Sequence, residues 1–367
     1  MPARPSRRAI GTAAATTAVA VPLAAAYRFA LEYRRRAGFP ARRPPLTTPA
    51  DDGLAFEPLE IPSPAGPLPA WFVPARDGAS GPAVVLVHGW ESNRARMLPD
   101  AGFLHAAGFH TLMFDVRGHG ENQPETLPIS GGEFAADTTA AVAAVRGRAE
   151  VTAVGILGHS MGAVGSVLAA AAGAGAAAGA GAGVGAGVGP AIGAVVATAI
   201  PAHPRLLTRR TFELAGLPIP GPVAHPLAWL TLRVYLHPRG HRPARVNALR
   251  AVRRYAGPIL VIHGSDDEVV PVRHAELLVR SARTRRGRDV RLLVIDGGRH
   301  RWLYESAIYR ERVAAFFAEH LGGPYSPAEA AARAAAVTAV RPPDTDGPLA
   351  ALNGAASPSH QNGDDDA

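Results

Sequence analysis

Ser160 stands in Gly158-His159-Ser160-Met161-Gly162, behind the apolar run Val151 to Leu157 and ahead of a small-residue run that can start a helix. A buried strand that turns straight into a helix leaves no space for side chains at the corner, which accounts for a glycine two residues to either side of the serine. The serine is then held at the tip of the turn. Its hydroxyl is a weak nucleophile until a base takes its proton and a carboxylate orients that base. The five-residue pattern also arises by chance in a chain this rich in alanine and glycine, so the chemistry needs partners elsewhere. His300 follows the apolar run Val290 to Ile295 and the turn Asp296 to Gly298, in a loop that can swing an imidazole over the end of a sheet. Asp266 and Asp267 follow another apolar run, Ile259 to His263, within a polar turn closed by Val269, Val270 and Pro271, and either can be the acid. His203, His225, His237 and His241 fall where no strand end would fix them.

Acyl transfer also requires hydrogen-bond donors where negative charge develops on the substrate oxygen, each worth roughly 10²- to 10³-fold in rate. The run Ala83 to Val87 ends in His88-Gly89, exposing the backbone N–H of Trp90, and the turn at Ser160 supplies that of Met161. Asp115, Arg117 and His119, within Phe114 to Gly120, fit a loop beneath such a site better than the chemistry itself. With no cysteine, the chain has neither thiolate chemistry nor a Cys-ligated metal. No metal or cofactor is expected to take part.

The elements that must position these residues are short apolar runs separated by Gly/Pro turns. Candidate strands are Phe56 to Ile61, Leu68 to Val73, Ala83 to Val87, His110 to Phe114, Val151 to Leu157, Ala194 to Ile200, Ile259 to His263 and Val290 to Ile295. Helix-like stretches lie at Met97 to Ala107, Gly132 to Arg148, Met161 to Ala172, Val272 to Arg285 and Trp302 to His320. Continuous apolar strands alternating with helices predict an α/β fold, a mostly parallel sheet covered on both faces, opened by an antiparallel hairpin. Two segments break the rhythm. Residues 169–193 are a Gly/Ala low-complexity run, read as a flexible insertion; lacking lysine and a strand-to-helix setting, it does not fit a phosphate-binding loop. Residues 201–256, rich in Pro, Arg, Leu and His, are a candidate cap, with Leu206, Leu207, Trp229 and Tyr235 as its apolar lining.

Of 367 residues, 38 are basic and 30 acidic, and no cation is a lysine. Residues 1–43 hold nine arginines against one acid, Glu32, so the whole net charge of +8 sits there and the remaining 324 residues balance. A neutral body argues against a nucleic-acid-binding surface. The arginines bracket the apolar stretch Ile10 to Ala26, which reads as an N-terminal membrane anchor with the catalytic domain on the cytoplasmic face, given Arg34 to Arg36. A twin-arginine-like export signal with cleavage near Tyr27 is the alternative. Residues 1–53 are thus expected to be an anchor or signal plus a Pro/Arg-rich linker, residues 54–322 the folded domain, and residues 323–367 a disordered tail with a helical turn or two at Pro327 to Val337.

Taken together, Val87 to Leu98, Phe114 to Asn122, Gly158 to Ala163, His263 to Pro271 and Gly297 to His300 resemble the α/β-hydrolase superfamily, particularly its branch of serine esterases, monoacylglycerol lipases and related peptidases. The resemblance spans roughly Leu54 to Leu321. It departs at Ala163, where glycine is common, and in the Gly/Ala insertion. It implies an eight-stranded sheet, the chain order Ser160, Asp267, His300 for a triad, and Asp267 as the acid, because it stands fifth in a pattern that His263 to Pro271 matches. The implied activity is hydrolysis of a carboxylic ester, such as a lipid or acyl ester, through an acyl-enzyme. Perhydrolysis, acyl transfer and peptide hydrolysis use the same triad, and a non-catalytic binding protein is the rival of another class. The resemblance does not reach a substrate identity or an oligomeric state.

Overall fold

The computed structural model describes residues 7–76, 79–179, 192–284 and 287–342. The apolar runs become β1 (Glu57–Ile61), β2 (Leu68–Val73), β3 (Gly81–Val87), β4 (His110–Phe114), β5 (Val151–His159), β6 (Ala194–Thr198), β7 (Ile259–Gly264) and β8 (Val290–Ile295). They form one sheet in the order β1-β2-β4-β3-β5-β6-β7-β8. The β1–β2 and β2–β4 pairs are antiparallel and every other pair is parallel. β3 and β7 are buried at every position, as strands covered on both faces must be, whereas the edge strand β8 is only partly covered between its buried ends, Val290 and Ile295.

One face is covered by α2 (Leu98–Ala106) and α9 (Ala307–Leu321), which pack Phe103, Leu104, Phe316 and Phe317 against Val84, Leu86 and Val196. The other carries α3 (Gly131–Arg146), α4 (Met161–Gly179), α7 (Ala248–Arg254) and α8 (Arg273–Ala282). α3 starts where Ser130 and Glu133 cap each other's backbone N–H groups, a reciprocal arrangement that fixes the helix start. Over the ends of the sheet lie α5 (Pro204–Leu214) and α6 (Gly221–Leu236).

The boundaries expected from sequence shift in four places. The cap is narrower than residues 201–256, since α7 buries Ala248, Ala251 and Val252 in the body against α4 and α8. The Gly/Ala insertion does not begin at Ala169: Ala169, Ala170 and Ala171 are buried and α4 runs on to Gly179, while residues 180–191 lie outside the described residues. The segment after Gly322 is not simply a tail. α10 (Pro327–Ala335) buries Ala330 and Ala334 against α9 and α2, because small side chains allow close helix contact, and residues 343–367 lie outside the described residues. The fold also does not wait for Leu54. α1 (Arg7–Ala37) packs its C-terminal part on α6, with Ala30 fully buried. Among the described residues, no helix is long and apolar enough to cross a membrane.

Candidate active site

Three strand ends converge on Ser160. β5 turns into α4 through a backbone that gives Ser160 a φ of 52°, a left-handed conformation that costs a non-glycine residue about 1 kcal/mol or more. The strain is held from both sides: the Ser160 N–H donates to Thr198 O at 2.9 Å at the end of β6, and the Thr198 hydroxyl donates to Gly158 O at 3.1 Å. The flanking glycines are steric requirements. A Cβ at Gly162 would stand 2.2 Å from Val87 O, and one at Gly158 would stand 2.6 Å from Gly162 O.

His300 Nε2 lies 3.1 Å from Ser160 Oγ, and His300 Nδ1 lies 2.8 Å from Asp267 Oδ2. The other carboxylate oxygen of Asp267 accepts the backbone N–H groups of Val269 at 3.0 Å and Val270 at 2.7 Å, which fixes its plane. Burial opposes ionisation of Asp267, but His300 and a contact from His263 at 3.2 Å outweigh it and hold the carboxyl well below the usual range. Asp266 is exposed, turned to the hydroxyl of Ser265, and does not meet His300. The structure therefore brings together Ser160, Asp267 and His300 and leaves Asp266 outside.

Gly89, Trp90 and Met161 line the same cavity as Ser160. Met161 is the first residue of α4, so its N–H has no acceptor one turn back. Asp115, Arg117 and His119 do not line the cavity. Buried Asp115 pairs with Arg94, and Arg117 pairs with Asp137. His88 accepts the Val116 N–H at 3.0 Å, joining the ends of β3 and β4, and burial pushes its imidazole down to about 3, so it stays neutral.

The cavity measures about 380 Å³. From the cap it takes Leu207, Thr208, Thr211, Leu232, Tyr235 and Leu236, and from the body Ile129, Val164, Val269 and Val270. Of the four candidate lining residues, Leu207 and Tyr235 reach it. Leu206 does not, and Trp229 is 48 % exposed on the outer side of α6, with the Arg233 guanidinium 4.6 Å from its ring centre. Consecutive positions on a helix lie about 100° apart, so Leu206 turns away from the wall that Leu207 and Thr208 form. Tyr33, Arg36 and Ala37 of α1 complete the lining.

A model of the alpha/beta hydrolase family matches residues 84–319, well over half of the chain. The chain belongs to the alpha/beta hydrolase family. Among curated proteins, this hydrolase is 29 % identical over 238 residues to the uncharacterized protein Rv2307c of Mycobacterium tuberculosis, covering 64 % of this chain and 68 % of the relative. Among solved structures it resembles the esterase Pf2001 of Pyrococcus furiosus, with 21 % identity and a TM-score of 0.57, covering 77 % of this chain and 98 % of that one. It also resembles Est1E of Butyrivibrio proteoclasticus, solved with ferulic acid bound, with 19 % identity and a TM-score of 0.54, covering 71 % and 98 %.

Two parts of the hydrolase site were missed from sequence. His263 was visible only as the first residue of a motif, yet its Nε2–H donates to Val270 O at 2.6 Å and the same nitrogen lies 3.2 Å from Asp267 Oδ2. The contribution of α1 was hidden by its charge pattern, which drew attention to membranes; the available signal was Phe29 and Tyr33, four apart and hence on one helix face.

Proposed function

We propose that this alpha/beta hydrolase is a serine esterase that cleaves carboxylic esters with an apolar acyl or alkyl part. The observation that carries the reading is the hydrogen-bonded series Ser160, His300, Asp267 opening into a largely apolar cavity. In the proposed reaction His300 Nε2 takes the Ser160 proton as Oγ attacks the ester carbonyl. The Trp90 and Met161 N–H groups stabilise the tetrahedral oxyanion. His300 then returns the proton to the departing alcohol, leaving an acyl-Ser160, and water activated by the same imidazole completes hydrolysis. Asp267 stays ionised and holds the imidazole in orientation. Perhydrolysis and acyl transfer to another acceptor differ only in what attacks the acyl-enzyme.

The test is labelling with a fluorophosphonate probe beside hydrolysis of p-nitrophenyl esters. Native protein should be labelled and active, and Ser160→Ala should be neither. A folded native protein that neither labels nor turns over any ester overturns the reading.

A further inference from the structure

The family match begins at residue 84, whereas one wall of the cavity comes from α1, which ends at Ala37. We propose that α1 is a specificity element of this hydrolase, and that Tyr33 is the residue that limits the length and bulk of the acyl group the cavity accepts. The proposal rests on the esterase reading of the same site.

Tyr33 is wedged between the two cap helices. Its ring stands edge-on to Phe212 of α5 at 5.7 Å and tilted against Tyr235 of α6 at 6.2 Å. Its hydroxyl lies 2.8 Å from the Thr211 hydroxyl. Burial pushes the phenol above its ordinary pKa, so the group facing an apolar chain stays neutral. The helix that carries it is equally fixed. Phe29 meets Phe212 edge-on at 5.3 Å, Arg34 Nη1 donates to Val234 O at 3.3 Å, and the Tyr235 hydroxyl, 2.5 Å from Ile129 O, lies 3.0 Å from Ala37 O. At the exit of α1 a Cβ on Gly38 would stand 2.7 Å from Pro128 Cβ, so the helix end has no clearance on that side.

These contacts decide how the ring acts. A side chain on a loose terminal helix would yield to a longer substrate, but one pinned by two aromatic rings, a hydroxyl and its own helix end subtracts its volume from the cavity. Discrimination between acyl chains is then set by how much chain fits before it meets the ring, and each methylene that does or does not fit is worth roughly tenfold or more in kcat/KM.

The experiment compares full-length wild type with Tyr33→Ala, Tyr33→Phe and Tyr33→Trp. The readout is the ratio of kcat/KM for p-nitrophenyl decanoate to that for the butyrate, with fluorophosphonate labelling of each variant alongside. Tyr33→Ala should raise the ratio by about tenfold or more, Tyr33→Trp should lower it, and Tyr33→Phe, which keeps the ring, should hold it within about twofold. If Tyr33→Ala fails to fold, the opposition of the Trp and Phe variants decides. One common ratio across labelled, folded variants overturns the proposal while leaving the esterase reading intact. A wild type that neither labels nor hydrolyses the series overturns both.

Discussion

A single carboxylate oxygen, Asp267 Oδ2, serves two histidines: His300 Nδ1 at 2.8 Å and His263 Nε2 at 3.2 Å. With Oδ1 accepting two backbone N–H groups, the carboxylate is held on every side and can act only as an anion. Asp267→Asn places an N–H donor where an acceptor is required and should lower kcat for ester hydrolysis by roughly 10³- to 10⁴-fold. Asp266→Asn should stay within about twofold, because its carboxylate faces solvent and Ser265. Steady-state kinetics on the two variants checks the assignment, and a more damaging Asp266 change would reverse it.

In the proposed mechanism Ser160 and His300 act through one proton, so their losses should not add. Ser160→Ala and His300→Ala should each cost several orders of magnitude in kcat, and the double variant little more than either. A double variant that loses the full product of the two single losses would mean that the two side chains work independently.

The turn at Ser160 should be as unforgiving structurally as it is chemically. Gly162→Ala puts a Cβ 2.2 Å from Val87 O and 2.4 Å from His88 O, backbone atoms that cannot move without displacing β3. It should cost at least about 3 kcal/mol, the upper end for overpacking, seen as a lowered midpoint in urea. Ala163→Gly, one residue along, should cost about 1 kcal/mol, the ordinary helix penalty.

The strands and the meeting of Ser160, Asp267 and His300 were legible because both are written locally. An apolar run ending in Gly-His-Ser or His-Gly-Ser-Asp-Asp carries its element and its candidate site residue in one stretch, and all eight expected strands formed. Register at their ends follows from the same burial rule. What was not legible depends on which distant helix faces meet. Nothing near Trp229 says that it looks outward, and nothing near Tyr33 says that α5 and α6 will close around it. Ala330 and Ala334 read as a featureless alanine tract until α9 and α2 supply the surface that only small side chains can approach.

Acid should destabilise the fold chiefly through its buried histidines. Burial pushes His88 down to about 3 and His119 and His274 to about 4, and His159 lies well below its ordinary value for the same reason. A buried neutral histidine binds fewer protons in the folded than in the unfolded state, so its stabilising contribution is complete above pH ~6.5 and is lost as pH falls towards 3–4. Asp100 runs the other way: burial raises its carboxyl to about 7, so its contribution is complete below pH ~4 and lost as pH rises through 7. Burial also lowers His105, His110 and His203 and raises Asp115 and Asp137, so the histidines outnumber the opposing carboxyls and Tm should fall by several degrees between pH 6.5 and 4.5. Asp100→Asn, which keeps an acceptor for the Tyr309 hydroxyl 2.9 Å away, should raise Tm more at pH 8 than at pH 5. Calorimetry across that range checks both signs, and a flat profile would mean that these imidazoles are already protonated in the fold.

The N-terminal segment separates two roles that the sequence placed together. Val21, Leu23 and Tyr27 are exposed, and the aromatic packing of α1 on the cap begins at Phe29. A chain beginning at Tyr27 keeps Phe29, Tyr33, Arg34 and Ala37, so it should retain the Tm and ester profile of the full-length protein. A chain beginning at Pro44 loses a wall of the cavity and the partners of Phe212 and Tyr235. It should melt several degrees lower and change its chain-length preference, contrary to what a fold starting at Leu54 would give. If the apolar stretch Ile10 to Ala26 is an anchor, as its flanking arginines suggest, full-length protein should pellet with membranes and the Tyr27 chain should not. Intact mass of protein recovered from its native cells distinguishes the export alternative, which requires loss of about 26 residues. Equal activity, stability and chain-length preference for the Tyr27 and Pro44 chains would show that α1 does nothing for the site.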